Sequence, residues 1–257
     1  MRLASVTGLA IFAGALSVSS APAVALAAPA PAQAARKAPQ RSDFNGIWTG
    51  EQGVLWDTNA KPGQPQNPPF TPEYAALYKE ALEAAAKGVP LADPPAACLP
   101  PGVPRIMASP FPIEIVLTPK VTYLLFEYMA QTRRAFMDKS APERLGFPTF
   151  NGYSTGHWQG DDLVIDTDEL RGDTVLDTTH VGHSDQLTVR EVFHLISPTK
   201  MQVKLTLTDP KAYTTPWTVT RTYVKNSGDQ ILQYVCEENN RNPVMPDGTT
   251  GFIGAKD

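Results

Sequence analysis

Alternation of apolar and polar positions governs the chain from residue 113 onward. Runs at 113–118, 121–129, 133–138, 154–159, 163–167, 186–196, 201–208, 217–225 and 230–236 swing with a period of two, as extended strands do. Pro119-Lys120, Gly160-Asp161, Ser197-Pro198, Asp209-Pro210 and Asn226-Ser227-Gly228 punctuate them with turn residues. Links this short predict antiparallel neighbours. With a first strand at 44–50, the pattern predicts an all-β, mainly antiparallel protein of about ten strands, either an up-and-down barrel or a strongly curved sheet. A two-sheet sandwich is the alternative architecture.

The period changes once. Between the first strand and residue 113 lies an insertion, 51–112, rich in Pro, Gly and Asn. Within it, 71–87 has helical spacing. Thr71 suits the N-cap, Pro72 the first turn and Glu73 the dipole, while Gly88 stops the run. Tyr74, Leu77, Tyr78, Ala81, Leu82 and Ala85 would form its buried face. The insertion is therefore expected to be an ordered flap carrying one helix, either packed on the domain or acting as a lid over a site.

Charged residues interrupt the apolar stripes. Val121, Tyr123, Leu125, Glu127 and Met129 share one strand face; Leu187, Val189, Glu191, Phe193 and Leu195 share another; Trp217, Val219, Arg221 and Tyr223 share a third. An unpaired charge in such a stripe costs on the order of 3–5 kcal/mol, so these groups are expected to meet inside the β-structure. Glu127, Glu191 and Arg221 form the expected cluster, with Arg134 as a fourth member. It could be a structural ion pair, or it could orient a ligand and move protons. Tyr123, Trp158, Trp217 and Tyr223 would supply aromatic walls to a cavity, or plain core.

His183-Ser184-Asp185, with His180 just upstream, makes His183 an alternative proton carrier. A Ser-His-Asp triad is disfavoured, because adjacent residues on extended chain face opposite ways and no G-x-S-x-G elbow is present. The H-x-x-H pair lies in a loop rather than on a helix, so no metal site is expected. Phosphate loops, zinc ribbons and nucleotide fingerprints are absent from the sequence, and no cofactor is called for.

The chain of 257 residues begins with a targeting pattern. Arg2, the apolar stretch 3–18 and Ala25-Leu26-Ala27 read as a Sec-type signal peptide over 1–27, with a second cleavage option near 34. An Ala/Pro/Gln linker at 28–41 is expected to be disordered, followed by one domain at 42–240 and a loop tail at 241–257. The net charge of −4, without a Lys/Arg block, disfavours nucleic acid as a partner, and no later stretch is apolar enough for stable membrane insertion. Cys98 and Cys236, the two cysteines, read as a disulfide in an oxidising compartment; two buried free thiols are the competing reading.

Two resemblances add to this. Gly46-Ile47-Trp48 on the first strand, with Arg221 on a late one, resembles the lipocalin and wider calycin pattern, which implies a tryptophan closing one barrel end with a late arginine packed across it. The segments Gly156-His157-Trp158-Gln159-Gly160-Asp161, His183-Ser184-Asp185, Pro216-Trp217-Thr218-Val219-Thr220-Arg221 and Tyr234-Val235-Cys236-Glu237-Glu238-Asn239 are similar to signatures of a group of exported bacterial proteins. That likeness implies fold and export, not a particular chemistry. Taken together, the expectation is a periplasmic or secreted, lipocalin-like barrel binding a small, partly hydrophobic molecule. A cofactor-free acid–base enzyme (lyase, hydratase, isomerase or hydrolase) using the same cavity is the alternative, and an envelope scaffold is a third reading.

Overall fold

A computed structural model of the protein describes residues 38–61, 66–137, 141–144, 146–228 and 230–236. Nine strands form a closed barrel in chain order: β1 (Gly46–Gly50), β2 (Ile113–Leu117), β3 (Val121–Phe126), β4 (Gln131–Met137), β5 (Tyr153–Gln159), β6 (Asp162–Asp168), β7 (Thr188–Ser197), β8 (Lys200–Thr208) and β9 (Trp217–Lys225). The ring shuts where Trp48, Thr49 and Gly50 pair with Lys225, Val224 and Tyr223. Every neighbouring pair is antiparallel except β4 and β5, which run parallel over three register pairs, Ala135 to Ser154 through Met137 to Gly156. A Cβ on Gly156 would stand 2.7 Å from Met137 Sδ, so the glycine lets this seam close.

The expected tenth strand at 230–236 does not form. Once β1 pairs with β9 there is no free edge for it to join. This segment instead runs irregularly along the rim, where Tyr234 packs edge-on against Phe111 and Tyr128. Cys236 closes a disulfide with Cys98. That bond fits a chain folded in an oxidising extracellular or periplasmic compartment. Among the described residues, no helix is long and apolar enough to cross a membrane. The signal-peptide segment 1–27, the linker up to residue 37, Asp138, Glu237, Glu238, Asn239 and the tail 241–257 lie outside the described residues.

The two barrel ends are closed differently. At one, a short 3-10 turn (Arg41–Phe44) drops Phe44 into the opening beside Trp48 and Trp158, and all but Trp158 are fully buried. Arg41, expected to belong to the linker, is part of this plug and stacks 4.5 Å over Trp158. Trp48 Nε1 donates to Phe44 O at 2.8 Å, and the late cation across its ring is Lys225, 4.9 Å from the centroid, rather than Arg221. At the other end lies the flap. It carries α1 (Pro72–Ala86); Thr71 stands at the N-cap position as expected, but its hydroxyl makes no capping bond and donates to Lys211 O at 3.0 Å. The helix buries a narrower stripe than its spacing predicts: Tyr78 is buried and Tyr74 and Leu82 pack partly, while Leu77 and Ala85 face outward.

The core fills the barrel interior. Directly opposite residues of an antiparallel pair share a face, so Ile113 with Phe126, Ile115 with Leu124, and Thr122 with Ala135 set the inner side of β2, β3 and β4. The inner face of β3 is therefore Thr122, Leu124 and Phe126, one residue out of step with the expected set of Val121, Tyr123 and Leu125. Both faces of that run are apolar, so alternation alone does not choose between them. A slip of one residue exchanges every side chain between inside and outside. On β7 and β9 the expected faces hold: Val189, Glu191, Phe193 and Leu195, and Val219, Arg221 and Tyr223, are buried.

Candidate functional site: a buried arginine–glutamate pair in the barrel wall

The shift on β3 decides which arginine is inside. Leu124 lies opposite Arg133 and Tyr123 opposite Arg134. Arg133 is thus 2 % exposed in the interior, whereas Arg134 points outward. The Arg133 side chain crosses beneath β5 and β6 to reach β7. Its Nε donates to Ser154 Oγ at 3.1 Å, and its Nη2 donates to Thr167 Oγ1 at 2.5 Å and to Glu191 Oε2. Ser154 and Thr167 are register partners on β5 and β6, and their hydroxyls are 2.8 Å apart. Glu191 is fully buried.

The pair meets end-on, through one nitrogen and one oxygen. Arg133 Nη1 and Glu191 Oε1 are both buried and have no hydrogen-bond partner among the described residues. A guanidinium offers five N–H donors and a carboxylate about four acceptor positions, so the pair keeps both donor and acceptor capacity in reserve. Buried polar atoms are almost always satisfied in folded proteins, by water if not by protein. These two therefore stand out as hydrogen-bonding capacity that the protein itself leaves unmet inside the barrel.

The parallel seam lies beside this network. Beyond its three register pairs, a cleft of about 410 Å³ opens between β4 and β5, walled by the outward-facing Thr132, Arg134, Phe136 and Tyr153 together with Arg133, Asn151 and Ser154; Glu191 is not part of its lining. Gly152 turns the chain into β5 at a φ of +64°, where a Cβ would stand 2.4 Å from Asp168 O. Asn151 Oδ1 is a second buried acceptor without a partner among the described residues. A second cleft of about 230 Å³, at the flap end, is walled by Val54, Ala108, Phe111 and Tyr128 and holds none of these unpartnered atoms.

The other expected site residues are dispersed. Glu127 lies in the β3–β4 turn at the rim, where its Oε2 accepts from Leu232 N at 3.0 Å; it does not join Glu191, because β3 ends at Phe126. Arg221 is interior, but it faces the flap, donating to Leu55 O at 3.1 Å and to Gly53 O rather than to Glu191. Burial holds its guanidinium below the ordinary range. Tyr223, its phenol pushed up by burial, donates to Met107 O at 2.6 Å. Trp217 packs edge-on against Trp56 and Tyr213, Trp158 belongs to the plug, and Tyr123 is half-buried on the outer face of β3.

His183 is built into the loop between β6 and β7. Its Nδ1 faces Ser184 O at 3.0 Å and must donate, because a carbonyl only accepts; Nε2 then accepts from Thr174 Oγ1 at 2.8 Å. Both ring nitrogens are engaged, and burial lowers the pKa, so the ring is held neutral. Ser184 in turn donates through N and Oγ to the buried Asp209. Asp177 accepts from Trp56 N, Gln66 Nε2 and Thr179, tying the flap to the same loop. These residues fasten loops; they do not converge on one cavity.

Arg133, Ser154 and Thr167 are absent from the expected site. One signal marks Arg133: it alternates with Ala135 and Met137, a small and an apolar residue, whereas Arg134 alternates with Phe136 and the charged Asp138. The set with one charge is the better candidate for the inside.

Fold and site define a closed nine-stranded β-barrel with an ion pair in its interior. No family model and no curated protein matches the chain. Among solved structures it is similar to a mutant of the fluorescent protein UnaG, at 13% identity and a TM-score of 0.34, over 72% of this chain and 98% of that one. The barrel assignment rests on the strand register itself.

Proposed function

We propose that this is an exported barrel that binds a small, partly hydrophobic molecule, with the Arg133–Glu191 pair orienting its polar end. The observation carrying the proposal is the unpartnered donor and acceptor on that pair, Arg133 Nη1 and Glu191 Oε1, buried inside the barrel. The cleft outside the β4–β5 seam includes Arg133 and Ser154 in its lining, and Phe136, Pro142 and Tyr153 give it apolar surface for the body of such a molecule. Export is supported by the signal-peptide pattern over 1–27 and by the Cys98–Cys236 disulfide.

The test is native mass spectrometry of protein purified without denaturation, followed by identification of any released molecule and a thermal-shift series with it. The expected result is one small molecule, recovered chemically unchanged, that raises Tm. The gain should vanish in the double variant Arg133→Met/Glu191→Leu, which removes both charges at similar volume. A Tm gain unaffected by that double substitution would move the site elsewhere. A molecule converted on incubation would replace binding with acid–base turnover.

A further inference from the structure

We infer that the flap-end rim is a docking groove for a segment of this same chain, the Pro243-Val244-Met245-Pro246 stretch beyond the disulfide. The groove is separate from the Arg133–Glu191 pair, and neither depends on the other.

The rim carries an apolar surface. Phe111 and Tyr128 stack with ring centroids 5.2 Å apart, and Tyr234 stands edge-on to both. Phe111 and Tyr128 line the cleft of about 230 Å³ together with Pro110 and Val54, the last of these 46 % exposed. Thr178 belongs to this cleft and to a neighbouring one of about 300 Å³ lined by Leu91 and by Val89, which is 50 % exposed. Adjoining apolar hollows bordered by exposed valines mark a contact surface. The charged groups on its walls are engaged. Arg105, in the first cleft, is bidentate to Asp93, in the second. The Asp177 carboxylate is taken by Trp56, Gln66 and Thr179. Such walls suit an uncharged, apolar occupant.

The chain itself supplies one. Cys236 is bonded to Cys98, and Tyr234, two residues earlier, touches Phe111 and Tyr128. The chain therefore leaves the described residues beside the first cleft. Pro243 is seven residues beyond Cys236, a stretch that spans at most about 25 Å. Pro243-Val244-Met245-Pro246 has P-x-x-P spacing and carries no charge. Proline fixes its own φ and holds the preceding residue extended, which biases such a stretch toward the polyproline II form. That form repeats every three residues, so both prolines share one edge, about 9 Å apart. Aromatic-lined grooves recognise this edge, and its preset geometry keeps the ordering cost low. A tether this short holds the segment at an effective concentration on the order of millimolar, so a modest fit is enough.

The test is photo-crosslinking in the full chain, with p-benzoylphenylalanine in place of Met245 and mapping by peptide mass spectrometry. The expected crosslinks fall on Val54, 108–111 or Tyr128 of the same chain, in a yield that does not change on dilution. Adding Pro243→Ala and Pro246→Ala should lower that yield about fourfold or more, through the freedom released at two backbone positions. Val54→Asp, a change at an exposed position of the groove itself, should lower it too. Crosslinks between chains that grow with concentration would give the groove to a second copy and overturn the tethered occupant, as would crosslinks to an unrelated protein. Crosslinks scattered over the barrel wall, or a yield unmoved by the two alanines, overturn the docking groove outright.

Discussion

Arg133 on β4 and Glu191 on β7 form one buried ion pair although two strands stand between them in the wall. The contact spans the interior rather than following the ladder, so it ties non-adjacent strands together. It also fixes Ser154 and Thr167 on the strands in between.

Breaking this pair from one side should be far worse than deleting it. Arg133→Met leaves an uncompensated buried carboxylate and is expected to cost about 3–5 kcal/mol in urea unfolding. Adding Glu191→Leu should recover most of that loss. A double variant as unstable as the single one would show that the hydroxyl contacts of Arg133, not its charge, dominate.

Arg221 should act on the flap. Its guanidinium holds the carbonyls of Gly53 and Leu55, next to the fully buried Trp56. Arg221→Met is expected to speed amide hydrogen exchange in 51–57 while leaving the amides of β6 and β7 protected, because it frees a local segment rather than the barrel. Uniform loss of protection would contradict this.

Stability should fall as pH drops through the histidine range. Burial holds the folded-state pKa of His183, and of His180, below the unfolded value of about 6.5. The unfolded chain then binds more protons in that window. The stability contribution is complete above about pH 6.5 and is lost progressively as pH falls toward the folded-state values. Denaturant midpoints between pH 8 and pH 5 should show the slope, and His183→Gln should flatten it.

At the plugged end, Lys225 lies over Trp48 and donates to Asp43 O. Lys225→Ala is expected to cost about 1–2 kcal/mol, the sum of a partly buried cation–π contact and one charged hydrogen bond. Lys225→Arg should retain most of it. Equal loss in both variants would assign the effect to packing of the aliphatic stem.

The disulfide closes a loop with a sequence separation of 138. In the chain-entropy treatment this contributes about 4–5 kcal/mol, through the unfolded state. Cys98→Ser/Cys236→Ser should lower the urea midpoint accordingly, and non-reducing electrophoresis should show a faster band for the wild-type protein alone.

Much of the wall was legible from alternation and turn residues; β9 falls on the expected 217–225, and the burial of Glu191 and Arg221 follows from their stripes. What alternation could not supply was the partner of each charge. Which residue stands across a barrel depends on closure and register, properties of all nine strands together. On β3, with apolar residues on both faces, the step of one residue put Arg133 in the place expected for Arg134, and the strand's end at Phe126 left Glu127 at the rim. His183 looked like chemistry because its loop carries polar neighbours, and those neighbours turn out to consume both of its nitrogens.

Nine is an odd number, and that has a consequence for the whole cylinder. Up and down directions cannot alternate all the way round an odd ring, so at least one adjacent pair must point the same way. The β4–β5 junction meets that arithmetic requirement. No substitution within those two segments can remove the mismatch; only gaining or losing a stave could. Parity thus demands one such seam before any side chain is chosen, and the long connection between Met137 and Tyr153 puts it between β4 and β5.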